Sequence, residues 1–329
     1  MIMNSKVKNE VNKLINFVNT SNNIYIASHV NPDGDSIGSE LALGLALRKI
    51  KRDKDKVKLL AIDKTPQNLK FLPGIKLIEE VNLEENIDLL ITVDCSDPDR
   101  LNDYREMIDK AENVINIDHH KSNNYFGDVN IVDPKASSTG EIIYFILEYL
   151  GLEIDEDIAT CLYVSLSTDT GSFKYDNTTS ITHNIASKLI DKGININDIT
   201  VNVYQNRPLV KTKLFIESLN SLELHHNNKV AIICVTQEMI KKCNAQIEDI
   251  DGFVEFIRDI DTVEVACILK ELSNNEIKIG LRSKKFVDVA YIASKFGGGG
   301  HTKASGCTIY EKIEIAKEKI LEEIKNNLR

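Results

Sequence analysis

The stretch IYIASHVNPDGDSIGS, residues 24–39, passes from a short apolar strand (Ile24–Ser28) through a turn rich in Pro, Gly and Asp into a helix expected over about Ser36–Ile50. A strand that delivers polar residues straight into a helix is the repeating unit of an α/β fold. Before it, Val7, Val11, Leu14, Ile15 and Val18 fall at helical spacing. After it, strands are expected near Val57–Ile62, Leu89–Val93 and Val114–Ile117, and helices over Gly140–Leu150 and Asp157–Leu166. This alternation predicts a mostly parallel sheet in a first domain, residues 1–192. Residues 193–213 turn polar around Pro208 and read as a linker with a connecting helix. A second, smaller α/β domain, 214–329, is expected from strands Val230–Val235, Val263–Leu269 and Ile277–Arg282 and a closing amphipathic helix, Ile313–Leu328.

Two domains suit a chain of 329 residues, and 42% hydrophobic with 27% charged residues is ordinary for a globular protein. Forty lysines and arginines stand against fifty aspartates and glutamates, a net charge of −10 that repels phosphate over the surface as a whole. Long duplex DNA is thereby excluded as a general partner, while local cation sites could still hold a short polyanion. No apolar run reaches membrane-spanning length, and the start, MIMNSKVKNE, has no apolar signal-like core. A cytoplasmic location away from membranes is the expectation. Six scattered cysteines without a CxxC pair argue against a thiolate metal site and read as reduced core thiols.

Ligands of an open α/β sheet bind beyond the carboxyl ends of its strands. The predicted strands lead into clusters of carboxylates and imidazoles there: His29, Asp33 and Asp35 in HVNPDGDS; Asp94 in VDCSDPDR; Asp118, His119 and His120 in IDHHKS; and Asp169 in STDTGSF, where it ends a helix. Taken singly, an aspartate before glycine is ordinarily a turn former, and a histidine at a strand end is ordinarily a satisfied core or surface residue. Their recurrence along one predicted edge is what points to chemistry, because so many carboxylates stay ionised together only around a cation. An oxygen-rich set with imidazoles and no thiolate favours Mn²⁺ or Mg²⁺ over zinc, and the number of ligands suggests two ions. Two ions sharing a carboxylate activate a water and stabilise in-line displacement at phosphorus, so phosphoester hydrolysis is the expected reaction class.

Near the other end, FGGGGHTKASG places Gly297–Gly300 before His301. Four glycines look unable to serve a packed element, and they read either as a hinge or as backbone that approaches an anion or a base edge closely. Arg282 and Ser283 end a predicted strand shortly before, and an arginine that could clamp phosphate, a glycine nest and His301 are expected to form a substrate-holding set.

Taken in order, HVNPDGDSIGS, VDCSDPDR, IDHHKSN and TDTGSF resemble the catalytic domain of the DHH phosphoesterases, and LRSK with GGGGHTKASG resembles the DHH-associated domain. The resemblance covers nearly the whole chain, and within the family this organisation is similar to the bacterial nanoRNase and 3′-phosphoadenosine 5′-phosphate (pAp) phosphatase type. It implies an active site in a cleft between the domains. One Mn²⁺ would be held by His29, Asp33 and Asp94, and a second by Asp35, Asp94, His119 and Asp169. Asp118 would orient an imidazole, and His120 would face the scissile phosphate as hydrogen-bond donor or general acid. Arg100 would contact substrate or pair with an acidic neighbour. Ser137, Ser138 and Thr139 read as a helix cap, in a stretch that the resemblance also implies near the cleft. Arg282, Ser283, Gly298, Gly299, Gly300, His301 and Ser305 would bind substrate. The implied partners are short RNA or DNA oligonucleotides, dinucleotides or pAp, and the family carries an expectation of a homodimer.

Two positions depart from the family pattern: Lys174 stands where an arginine is expected, losing bidentate geometry, and Ser305 stands where alanine is commoner. A cyclic di-AMP phosphodiesterase is the near alternative on the same motifs. A RecJ-like single-strand exonuclease lacks support in any further domain or basic aromatic tract, and the GGGGH-type second domain points away from an inorganic pyrophosphatase. A non-catalytic nucleotide-binding protein would fit only if first-domain ligands were missing, and all are present.

Overall fold

A computed structural model describes residues 5–80 and 86–328. The chain divides between Asn206 and Arg207 into two compact units, inside the stretch read as linker. In the first unit the strands are β1 (Ile24–Ala27), β2 (Val57–Ala61), β3 (Ile78–Glu80), β4 (Ile87–Val93), β5 (Ala111–Asp118) and β6 (Val129–Val132). Its helices are α1 (Ser5–Thr20), α2 (Gly34–Ile50), α3 (Glu106–Lys110), α4 (Thr139–Tyr149), α5 (Glu156–Asp169), α6 (Ser180–Ile190) and α7 (Ile196–Thr200). A π-helical turn, Val201–Gln205, follows α7 within the polar stretch.

The strands form one parallel sheet in the order β3-β2-β1-β4-β5-β6. From β1 the chain winds outward through β2 and β3, then returns to the other side of β1 with β4 and winds out through β5 and β6. The direction of winding therefore reverses between β1 and β4, and a crevice opens at their carboxyl ends. Ala27 pairs with Thr92 there, so His29 and Asp94, each two residues on, emerge side by side. All four residues of β1 are buried, as expected of a central parallel strand covered on both faces.

Gly34–Ile50 is capped by Asp33, which accepts from the backbone of Asp35 and Ser36, while the Ser36 hydroxyl accepts from the Asp33 backbone. Helices α2, α4 and α5 pack against one another with little room: a β-carbon on Gly38 would lie 2.6 Å from the Cys161 carbonyl, and one on Gly140 would lie 2.0 Å from the Ser165 hydroxyl. Close approach of these helices brings their first or last turns together above the sheet.

The second unit carries α8 (Leu209–Leu219), β7 (Glu223–His225), β8 (Val230–Val235), α9 (Gln237–Cys243), α10 (Phe253–Arg258), β9 (Val265–Ser273), β10 (Glu276–Ser283), α11 (Val289–Ser294), β11 (Gly299–His301), β12 (Ala304–Ile309) and α12 (Ile313–Asn327). Its sheet, ordered β11-β12-β10-β9-β8-β7, is antiparallel except for the parallel pair β8 and β9. The glycine run corrects the expectation drawn from composition, since Gly299–His301 is an edge strand hydrogen-bonded to β12. Gly298 lies against the next strand so closely that a β-carbon would meet the Gly306 carbonyl at 2.2 Å. Glycine serves close backbone packing at that point.

All six cysteines are free, and Cys95, Cys161, Cys267 and Cys307 are buried. Among the described residues no helix is long and apolar enough to cross a membrane.

Candidate metal centre

Asp94 follows β4 directly with a left-handed backbone, φ +56°, and its carboxylate is buried. Such a conformation costs a non-glycine residue about 1–3 kcal/mol and is retained where the surrounding structure demands it. Here it turns the carboxylate into the crevice. His29 emerges from β1 beside it, with its Nε2 3.3 Å from Asp94 Oδ2. The other ring nitrogen, Nδ1, lies 2.7 Å from the Val30 carbonyl, and since a carbonyl only accepts, Nδ1 carries the hydrogen. Burial lowers the pKa of this imidazole, so it is neutral and turns a lone pair toward a carboxylate.

A second group forms around His119, whose Nε2 stands 3.6 Å from Asp35 Oδ2, 3.7 Å from Asp94 Oδ1 and 3.5 Å from Asp169 Oδ2. Asp35 comes from the first turn of α2 and Asp169 from the last residue of α5. The ligand atoms of His29, Asp33 and Asp94 lie within 4.8 Å of one another, as do those of Asp35, His119 and Asp169. A third set, Asp94, His119 and His120, links the two groups through Asp94.

Negative charge is concentrated accordingly. Burial, and then the carboxylates of Asp35, Asp33, Asp118 and Asp169, push the pKa of Asp94 well above the usual range. Burial and Asp35 likewise push Asp169 up to about 7. Imidazole nitrogens and carboxylate oxygens that converge at these distances could hold a cation between them. The donor set fits a hard or borderline divalent ion, with oxygen in the majority and no sulfur.

Thr139, and with it Gly140, Ser165 and Asn177, which sequence reasoning passed over, hold these carboxylates. Asp35 accepts from the backbone N–H groups of Thr139 (2.8 Å) and Gly140 (3.2 Å) at the start of α4, and from the Ser165 hydroxyl (2.5 Å). Thr139 also donates its hydroxyl to Asp94 Oδ1 at 3.0 Å, a role beyond the helix cap expected of this stretch, which Ser138 performs. Asn177 donates to Asp169 Oδ2 at 3.3 Å and to the Ser137 carbonyl at 3.0 Å. Hydroxyl and amide donors at the entrance to a predicted helix were the only local signal.

Asp118 is wholly buried and lies behind the centre, with its Oδ1 2.7 Å from His120 Nδ1 and 2.8 Å from the His119 backbone nitrogen. The imidazole it orients is therefore that of His120. Burial would raise the Asp118 pKa, but hydrogen bonds from His120 and Asn123 hold it below the usual value. The Asp118 hydrogen bond in turn raises that of His120. Arg100 pairs with no carboxylate among the described residues, and its charge disfavours protonation of both His29 and His120. Lys174 is exposed after Gly171, Ser172 and Phe173, three successive residues with positive φ.

In the second unit, Arg282 and His301 each pair with Ala304, from opposite sides, so they share one row across β10, β12 and β11. The parallel row Gly280, Gly306 and Gly299 adds no side chain to that face. Arg282 donates from Nε to Glu255 at 2.8 Å, leaving part of its fork available. Gly298 and Gly300 approach β12 closely. Two further residues expected on substrate have buried hydroxyls engaged within the unit: Ser283 donates to Glu264 at 3.3 Å and Ser305 to the Val289 carbonyl at 2.6 Å.

Residues 23–166 match the DHH family N-terminal domain, and residues 227–329 match the DHHA1 domain. A Thermus thermophilus protein named bifunctional oligoribonuclease and PAP phosphatase NrnA is 32% identical over 309 residues, 93% of this chain and 90% of that one. The crystal structure of a Bacteroides fragilis protein described as exopolyphosphatase-related superposes with a TM-score of 0.88 at 28% identity, covering 97% of this chain and 96% of the other. The cyclic-di-AMP phosphodiesterase GdpP of Bacillus subtilis is 28% identical over 338 residues, which span 92% of this chain but only 48% of that protein.

Proposed function

The chain belongs to the DHH family, and from that premise we propose that it is a two-metal phosphoesterase that hydrolyses short oligonucleotides such as pApA to mononucleotides and removes the 3′-phosphate of pAp. The observation that carries this reading is the shared position of Asp94 between the His29 and His119 groups. Similarity along most of the chain to an oligoribonuclease and pAp phosphatase supports the substrate class.

His29, Asp33 and Asp94 would hold one divalent ion, and Asp35, Asp94, His119 and Asp169 the other, with Mn²⁺ favoured by the mixed oxygen and imidazole set. Bound there, the ions supply a water of lowered pKa and positive charge against the phosphoryl oxygens. The protein's own groups do the rest. Asp118 accepts the Nδ1 hydrogen of His120, which leaves Nε2 as the atom presented to substrate. In the reaction a bond forms between phosphorus and the water oxygen, which releases a proton to solvent, and the bond from phosphorus to the leaving oxygen breaks. His120 Nε2 gives its proton to that leaving oxygen. Both substrates lose the same group, the 3′-oxygen of a 5′-adenylate, so one geometry serves both. The Arg282 and His301 row, with its flat glycine floor, is suited to a phosphate and a base and takes the substrate-holding role. A short substrate agrees with the net charge of −10, because affinity then comes from one or two phosphates.

The test is a set of parallel Mn²⁺ reactions with pApA, pAp and cyclic di-AMP, resolved by chromatography, with Asp94→Ala as control. Rapid conversion of pApA and pAp to AMP, absent in Asp94→Ala, is expected. Preferential opening of cyclic di-AMP would instead assign the second-messenger phosphodiesterase activity.

A further inference from the structure

The geometry points to Asn123 and Asn116 as positioning residues for His120, acting through Asp118. Asp118, Asn116 and Asn123 are all buried. Asn123 Nδ2 donates to Asp118 Oδ2 at 2.5 Å and to Asn116 Oδ1 at 2.7 Å. Asn116 Nδ2 donates to the Cys95 carbonyl at 2.8 Å and to the Thr92 hydroxyl at 3.0 Å.

Both amides are fixed in orientation by partners that have no alternative. The Cys95 carbonyl only accepts, so the nitrogen of Asn116 must face it and the oxygen must face Asn123. The Tyr125 backbone N–H only donates, and it meets Asn123 Oδ1 at 2.6 Å, so the nitrogen of Asn123 must face Asp118 and Asn116. The Thr92 hydroxyl gives its own hydrogen to the Ile115 carbonyl at 3.3 Å and is left to accept from Asn116. One oxygen of Asp118 is thereby held from behind, and the other is held by the His119 backbone and His120 Nδ1.

Strand geometry explains why the chain of contacts exists. Asn116 and Asp118 alternate onto one face of β5, and Asn116 is the registered partner of Thr92 on β4. The path thus runs from the β4 and β5 pair, through two amides and a carboxylate, to the imidazole. A carboxylate anchored at both oxygens cannot swing, so the ring keeps Nδ1 inward and Nε2 toward the leaving oxygen.

This inference rests on the reading of His120 as proton donor, and the test separates the two. Steady-state kinetics would be measured on a dinucleotide with its natural bridging 3′-oxygen and on the same dinucleotide with sulfur at that position, whose thiolate leaves without a proton. Asn123→Ala is expected to lower kcat about tenfold or more on the oxygen substrate, with KM changed less than about twofold, and to lower kcat less than about threefold on the sulfur substrate. Asn123→Leu, which is close in size but has no donor, should do the same; it also covers the case in which the alanine variant does not fold. Equal losses on both substrates, or a change confined to KM, in both variants would overturn the positioning role. His120→Ala is the control for the underlying reading: if its own losses are equal on the two substrates, proton donation by His120 fails first, whatever Asn123 does.

Discussion

His29 presents a neutral Nε2 to Asp94 Oδ2 at 3.3 Å because its other nitrogen is bonded to the Val30 carbonyl. With no hydrogen on that nitrogen, the contact calls for a positive partner from elsewhere: a proton on Asp94, whose pKa burial and the neighbouring carboxylates push well above the usual range, or a cation. Burial on both sides raises the cost of leaving it without one. The reversal of strand order places the two residues there, and helix packing surrounds them with further carboxylates. A divalent ion in that place would displace the proton, and several consequences can be measured.

Thr139 tests whether the centre depends on its supporting donors. The Thr139 hydroxyl bonds to Asp94 Oδ1 at 3.0 Å, while its backbone N–H serves Asp35. Thr139→Val keeps the shape and the N–H but removes the hydroxyl. Metal affinity measured by calorimetry should fall by about 10- to 100-fold, with melting temperature in the metal-free state little changed.

Gly140 tests the packing that brings α2, α4 and α5 together. A β-carbon there would fall 2.0 Å from Ser165 Oγ, the same hydroxyl that holds Asp35. Gly140→Ala should destabilise the protein by about 1–3 kcal/mol in urea unfolding and weaken metal binding at the same time. An alanine variant with wild-type stability would show that the helices have room to part.

How far all this could be read from the sequence depends on the distance over which each contact acts. Strand endings at His29, Asp94 and Asp118 were legible because an apolar run followed by a charged turn is a local pattern. That β1 and β4 are neighbours is not local, since it depends on the chain reversing its direction of winding. Ser165 and Asp35 lie 130 residues apart, and nothing near either one announces the other. The edge strand at Gly299–His301 was hidden for another reason: glycine has little intrinsic strand preference, and its pairing is imposed by β12. Ser305 looked available to a phosphate by type alone, whereas its hydroxyl ties β12 to the start of α11.

Glu264 anchors the turn after β10, accepting from the backbone N–H groups of Lys285, Phe286 and Val287 and from the Ser283 hydroxyl. Burial would raise its pKa, but the N–H groups of Val287, Phe286 and Lys285 prevail and hold it below the usual glutamate value. A lowered folded pKa contributes stability that is present above the unfolded pKa and is lost as pH falls through the folded one. Glu264→Gln should therefore cost about 1.5–3 kcal/mol near pH 7, and the difference from wild type should shrink under acid. A gap that stays constant down to low pH would contradict the ionised nest.

Glu40 behaves in the opposite sense. It is fully buried on α2, and both carboxylate oxygens lie outside hydrogen-bond geometry, although Ser28 and the Leu60 backbone stand close. Burial pushes its pKa up to about 8, so it is a neutral acid at pH 7. A raised folded pKa means that stability is complete below the unfolded value and declines as pH rises toward the folded one, by about 1.4 kcal/mol per pH unit. Glu40→Gln should match wild type near pH 4 and exceed it at pH 9 in thermal melts. Parallel pH profiles for the two proteins would show that Glu40 ionises freely.

The shared role of Asp94 is tested most directly by counting bound ions. Mn²⁺ binding to the metal-free protein, followed by calorimetry and checked by elemental analysis, should give two ions per chain, and Asp94→Ala should lose tight binding of both. A single ion in the wild type, or an Asp94→Ala variant that still binds two, would contradict a centre built around one shared carboxylate.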